Sequence, residues 1–368
     1  MKFMKQAPAC WLSVSLLLAG SSTWAQAQNA GTALPAVTLQ TALAQAMEHN
    51  PSLRAAQQAV AASEGAMIQS QARPNPELAF SQEDTRRATR SSSLQWNQPI
   101  EVGGKRAARM KVAEHGVELA RAELDAARAA LRADVRAAFV NLLAAQQRVQ
   151  LNEKTLQIAA QARDAAAKRV IAGKAAPLEE TKAQVAESSA QLALTQAQSG
   201  LRVTRQQLAL LWGGSGMVVG EAMGDMVQLP QLPPQDQLLQ KVEHSAQVIR
   251  AQQAYLQAKS TAELERAKRL PDPTVSVGIK RAEEAGRNQL LLGVSIPLPI
   301  LDSNRGNQLQ ALRLADKAED ELQAARQQAQ SQLLQNYEHL QTSRAQTVQL
   351  QSKVLPGAQS AYEVAAKG

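Results

Sequence analysis

Apolar and small residues recur along the middle of the chain at steps of three and four: Ala113, Val117, Ala120, Leu124, Ala127, Leu131, Val135, Ala138, Leu142, Ala145 and Val149. Such spacing is the seam of a coiled coil, and Ala alternating with larger residues along it lets neighbouring helices approach closely. Nothing interrupts the pattern between about 104 and 170, which predicts one helix ~100 Å long at ~1.5 Å per residue. A compact domain has no use for such an element. Gly173 then reads as a helix stop and Pro177 as a restart. Beyond them Leu178, Val185 and Leu192, and separately Leu194, Leu201 and Leu208, recur seven apart. These residues predict a return helix over 178–212 and so an antiparallel helical hairpin.

A second period lies on either side of that hairpin. Leu78 and Phe80 alternate with Ala79 and Ser81, and Leu94 and Trp96 with Gln95 and Asn97, as short half-apolar strands do. Later, Val275, Val277 and Ile279 alternate with Thr274, Ser276 and Gly278, and Leu290, Leu292 and Val294 share one face of the next segment. We expect strands at about 76–84, 92–101, 273–281 and 288–298. A helix from about 39 to 72, opened by Thr38, precedes the first pair, and a second long helix from about 304 to 355 follows the last. The order helix, hairpin, long helix thus occurs twice, "RLPDPTVSVGIK" paralleling "ARPNPELAFSQ". The expected units are a first repeat over 28–212, a Gly/Pro-rich linker over 213–235 and a second repeat over 236–368. In each repeat a bend joins strand to long helix: Pro99, Gly103 and Gly104 in the first, Pro297 and Pro299 in the second.

Composition narrows the class. Aromatic residues make up only 3% of the 368 residues, as in long helices and coiled coils rather than a globular core. The first residues, with Lys2 and Lys5, an apolar run from Trp11 to Gly20 and a small-x-small site at Ala25 and Ala27, read as an export signal over 1–27. The run is too short to span a bilayer as a helix. Cys10, the single cysteine, precedes it, so neither a lipid anchor nor a disulfide is expected after cleavage. Without Lys2 and Lys5, two of the 40 basic residues, 38 face 32 acidic ones, too slight an excess to indicate nucleic acid. His49, His115, His244 and His339 are scattered without metal-ligand spacing. Gly103, Gly104 and Lys105 lack the spacing of a phosphate loop. No nucleophile and base pair is evident; catalytic residues, cofactors and bound metals are not expected.

An exported chain with four strands, apolar on one face, and helices this long points to the outer membrane, where barrel strands alternate apolar-out and polar-in. Four strands cannot close a barrel, and lipid does not tolerate open edges. Copies must associate, and three would supply twelve strands around an aqueous lumen. Val275, Val277, Ile279, Leu290, Leu292 and Val294 are then expected to face lipid. The bends mark the passage from membrane barrel to periplasmic helical cylinder.

The segments "RPNPELAF", "QPIEVGGKRAARMKVAE", "AAPLEETKAQVAESSAQLALTQ", "LALLWG" and "LLLGVSIPLPILDSNRGN" resemble the outer-membrane efflux (TolC-like) family, most closely its cobalt–zinc–cadmium branch. The resemblance implies a mainly α protomer with a small β part, a homotrimer with a twelve-stranded barrel on a helical tunnel, and a periplasmic adaptor linking it to an inner-membrane resistance-nodulation-division pump. It further implies a passive exit duct, and for that branch heavy-metal cations as cargo. Arg169, Gly173, Lys174, Leu178 and Glu179 match the family's tunnel-entrance motif and are the expected adaptor-docking residues, although Pro177 and the Glu179-Glu180 pair depart from it. The alternatives are a duct for drugs or secreted proteins and, in another class, a periplasmic adaptor or scaffold. Because "YEVAAKG" at 362–368 lines up with "RDAAAKR" at 163–169, the second repeat is expected to lack its return helix, as in a fragment of a longer reading frame.

Overall fold

The computed structural model describes residues 36–214, 219–225, 229 and 231–367; the expected export signal lies outside the described residues. Two short helices come first, α1 (Leu39–His49) and α2 (Pro51–Ser70), then strands β1 (Glu77–Glu83) and β2 (Ser91–Pro99). The long α3 (Lys105–Ile171) and its return partner α4 (Pro177–Leu211) follow. After the linker come α5 (Gln235–Gln240), α6 (Ala246–Ala267), β3 (Thr274–Ala282), β4 (Arg287–Ser295), α7 (Arg305–Gln349) and α8 (Leu355–Lys367). The expected fold class is observed: long antiparallel helices and one small antiparallel sheet, ordered β1-β2-β3-β4.

Two helix boundaries differ from the sequence reading. The helix expected over 39–72 is broken at Asn50, whose ψ of 123° is extended. Pro51 disfavours the helical conformation in the residue before it, and Asn50 uses the break as a hub. Its side chain accepts the Leu53 N–H at 3.0 Å, which caps α2, and donates to the Leu211 carbonyl at 3.0 Å. At the other end, the helix expected to stop near 355 runs on. Pro356 has no N–H to give, and a wide π turn over Leu350–Val354 carries the chain from α7 into α8.

The core lies where α1 and the end of α4 meet the middle of α3. Val135 and Leu142 of α3 and Leu208 of α4 are fully buried. Trp212 stacks into this cluster and donates its indole N–H to the Ala42 carbonyl at 3.0 Å. Gly213, at φ +86°, sits so close to the His49 carbonyl that a Cβ there would lie 2.5 Å from its oxygen. Thr38 and Thr41 close a capping box at the start of α1. Toward the sheet α3 packs on α2 and α6, and α6 on α7. The helices therefore stand in the order α2, α3, α6, α7 beneath the strands.

Candidate functional site

Three places carry the features that matter: the two faces of the sheet, the strand-to-helix junctions and the turn between α3 and α4.

Register aligns the apolar side chains into rows. Leu78 lies opposite Trp96, Trp96 opposite Val277 and Val277 opposite Leu292. The next row is Phe80, Leu94, Ile279 and Leu290, and Val275 lies opposite Val294. All six residues expected to face lipid thus share one face with Leu78, Phe80, Leu94 and Trp96. That face is open: Leu290, Leu292 and Val294 each expose about seven-tenths of their surface. Tipward it ends at Gln82, Ser92, Arg281 and Asn288, a polar row. The opposite face is mostly polar, with Leu291, opposite Gly278, its one large apolar side chain. There Ser81 and Ser93 hydrogen-bond at 2.7 Å, and Lys280 reaches diagonally to Glu83 at 2.7 Å, a carboxylate that also accepts from Ser91 at 3.0 Å. Gly278 leaves room on this face for Gln95, whose Cγ would lie 2.6 Å from a Cβ at that position.

At the first junction β2 stops at Pro99, and Gly103 and Gly104 take φ of +71° and +72°, the left-handed region that glycine enters at no steric cost. Gly103 also faces the Leu270 side chain, whose Cδ1 would lie 2.6 Å from a Cβ. Arg109 pairs with Glu101 through both guanidinium nitrogens, one bond at 3.1 Å, and donates to the Ser70 and Ala72 carbonyls at 3.0 and 2.8 Å. Arg106 donates to the Gln71 carbonyl at 3.0 Å. The final carbonyls of α2, which have no partner within the helix, are thus capped by α3. The hydrogen bond from Arg109 holds the Glu101 carboxyl below its ordinary value, against an opposing push from burial. Asp272 joins the junction to the second repeat: it accepts the Val102 N–H at 2.9 Å and pairs with Lys105 at 2.8 Å.

The second junction uses different residues. Asn304 takes the left-handed turn, φ +58°, and donates to the Glu265 carbonyl at 3.0 Å and carboxylate at 2.9 Å. Burial raises the Glu265 pKa, but Asn304 and Lys268 together bring it below the ordinary value. Pro297 and Pro299 lie in the exposed segment that leads to this turn. Of the expected bend residues, Pro99 ends β2 and Gly103, Gly104, Pro297 and Pro299 lie between strand and long helix, while Glu101, Arg109, Glu265 and Asn304, which with Asp272 hold the bends in shape, carry no signal of that role in the local sequence pattern. A signal for Asp272 was present in "LPDP", which places an acid where its parallel "RPNP" has Asn75.

The turn between α3 and α4 gathers Arg169, Gly173, Lys174, Leu178 and Glu179 at one exposed end. Gly173, φ +67°, donates to the Val170 carbonyl at 2.9 Å and Lys174 N–H to the Arg169 carbonyl at 2.8 Å, the paired bonds of a Schellman stop. Pro177 opens α4, and Glu179 and Glu180 favour its positive end. Ile171 and Leu178 stand open beside the turn. The four histidines lie on α1, α3, α7 and a short 3-10 turn at Val242–His244. Among the described residues no helix is long and apolar enough to cross a membrane.

A sequence model of the family described as outer membrane efflux protein matches residues 42–214. The cobalt-zinc-cadmium resistance protein CzcC of Cupriavidus metallidurans is 42% identical over 332 residues, 90% of this chain and 79% of that protein. The nickel-cobalt-cadmium resistance protein NccC of Alcaligenes xylosoxydans xylosoxydans is 26% identical over 241 residues, 65% of this chain and 54% of that one. Among solved structures, CusC, described in terms of transmembrane channel formation, superposes with a TM-score of 0.69 at 19% identity, covering 93% of this chain and 85% of its own.

Proposed function

The chain belongs to the outer membrane efflux protein family, and from that premise we propose that three copies form the exit duct of a tripartite pump for heavy-metal cations. As an outer-membrane efflux channel the protein is a conduit and not an enzyme. The observation that carries the trimer is the sheet: four strands, apolar on one face and polar on the other, with β1 and β4 each presenting an unpaired edge. Edges of this kind are not stable in hydrocarbon. Closing them copy to copy gives twelve strands, with Val275, Val277, Ile279, Leu290, Leu292 and Val294 against lipid and the ladder around Ser81, Ser93 and Lys280 against water. The helices α2, α3, α6 and α7 of each copy would continue the wall below the membrane as a tunnel.

The names of the relatives support the reading of the cargo. Both are named for resistance to cobalt and cadmium, one with zinc and the other with nickel, which supports metal cations as the cargo; in our reading a pump of the resistance-nodulation-division class delivers them through a periplasmic adaptor that docks at the α3–α4 turn. In this arrangement the pump selects and the duct transmits. The test is complementation. A strain that keeps a metal-exporting pump and adaptor but lacks its duct should regain tolerance of cobalt, zinc and cadmium when this chain is supplied. Restored tolerance of organic toxicants alone, in a matched strain with a drug pump, would assign the chain to drug efflux instead.

A further inference from the structure

The chain builds the same junction twice and completes it once. At the first junction one layer of contacts stays within the repeat, where Arg106 and Arg109 cap α2. A second layer reaches the other repeat. The Ile100 N–H extends the β2–β3 ladder onto the Pro273 carbonyl at 2.8 Å, Val102 and Lys105 converge on Asp272, and Gly103 rests on Leu270. The turn Leu270–Pro273 is thus the seat of the first bend. At the second junction only the inner layer is present, Asn304 on Glu265. Leu298 and Ile300 expose about three-quarters or more of their surface and Leu301 all of it. Arg305 follows left-handed Asn304 as Lys105 follows left-handed Gly104, yet it makes no ion pair or side-chain hydrogen bond with any described residue.

The missing seat exists elsewhere in the same chain. Arg73–Pro76 is the counterpart of Leu270–Pro273, with Asn75 in the place of Asp272. It leads into β1, the free edge of the sheet, just as Leu270–Pro273 leads into β3, and the Asn75 side chain likewise makes no hydrogen bond with any described residue. One copy therefore carries a bend without a seat beside β4 and a seat without a bend beside β1. We infer that the bend 296–305 of one copy docks on the turn Arg73–Pro76 of the next, with the Leu298 N–H on the Pro76 carbonyl and Arg305 on the Asn75 side-chain oxygen. Carrying the β2–β3 register across the free edges puts Val294 opposite Phe80, which keeps the apolar faces flush. Leu309 and Leu312, exposed on the first turns of α7, continue the contact below the bend. The occupant is a second copy of this chain, so the inference rests on the assembly proposed above.

The difference between the two seats supplies the test. Asn75→Asp would recreate at the copy-to-copy seat the acid that Asp272 provides inside the chain. A charge-assisted bond exceeds a neutral one by roughly 1 kcal/mol, which is about fivefold in an equilibrium. N75D should slow trimer dissociation in detergent about fivefold, Arg305→Ala should speed it, and N75D should bring no gain in the R305A background. In parallel, Phe80→Cys with Val294→Cys, in a chain whose single native cysteine is Cys10, should give oxidative dimer and trimer bands. If those bands form while N75D changes nothing, or its gain persists without Arg305, the seat is wrong and the assembly stands. If no such bands form and no trimer is found, the assembly reading fails and takes the seat with it.

Discussion

Arg109 ties together three parts of the chain through one planar guanidinium: the Glu101 carboxylate just past β2, the Ser70 carbonyl and the Ala72 carbonyl at the end of α2. Such a fork suits a carboxylate and two carbonyls at once, which Lys could not do. Because Arg109 holds the Glu101 pKa below its ordinary 4.5, the unfolded chain binds a proton here more readily than the folded one. The stabilisation is then complete above the ordinary value and is lost as pH falls through the folded value. We expect Glu101→Gln to cost about 1 to 2 kcal/mol at neutral pH, and its stability to fall less steeply than that of the parent as pH drops below about 4.5. Thermal unfolding across pH 7 to 3 checks this, and parallel profiles for the two proteins would count against it. At this scale the sequence was half legible. Two consecutive glycines between an alternating segment and a helix announce a left-handed bend, but the partners of Glu101 and Lys105 are set by the fold. Asp272 lies far along the chain from Lys105, and no local pattern links them.

Elements were legible where one period holds throughout and illegible where a break leaves the period intact. Alternation in "TVSVGIK" marks both the strand and its faces, because a side chain in a strand has only two sides to choose from. The Asn50-Pro51 break left no such trace, since the apolar residues of α1 and α2 resume almost in phase on either side. Pro356 acts in the other direction: a residue without a donor stands inside a helical run that continues past it, next to a π turn. The sheet gives the element-scale prediction. Val277 lies in the row of Leu78, Trp96 and Leu292, and Ser276 in the row of Asn97 and Gly293 on the other face. A Lys at mid-bilayer on a lipid-facing position costs ~2 to 4 kcal/mol, and one on the water side far less. Val277→Lys should therefore sharply lower the yield of folded protein in outer membranes while Ser276→Lys leaves it close to normal. Equal yields, measured by heat-modifiable mobility of membrane extracts, would break the assignment of the two faces.

For the whole molecule the spacing of its parts decides what it can do. At ~1.5 Å per residue, the 67 residues of α3 hold the α3–α4 turn ~100 Å from the strands, which in the proposed assembly sets that turn deep in the periplasm. The return of α4 is what makes this reach rigid. It packs along α3, and Arg163 bridges to Glu187 at 2.8 Å across the pair. The turn itself is closed by the Gly173 stop, which leaves Ile171 and Leu178 without cover, 86% and 60% exposed. Exposed apolar side chains beside charged Arg169, Lys174 and Glu179, on a rigid tip, suit a surface that meets another protein. Part of this was legible from the heptad spacing and the Gly-Pro punctuation, which require a hairpin; what the tip contacts is not encoded in either. If the adaptor docks there, Leu178→Cys carrying a short photo-crosslinker should capture it in cells, whereas the same probe at exposed Met223, beside the core at the middle of α3, should not. Leu178→Asp should then reduce metal tolerance while leaving the trimer intact in detergent, because the residue touches neither the core nor the sheet. Capture from Met223 but not from Leu178 would move the docking surface to the middle of α3 and leave the tip as a solvated turn.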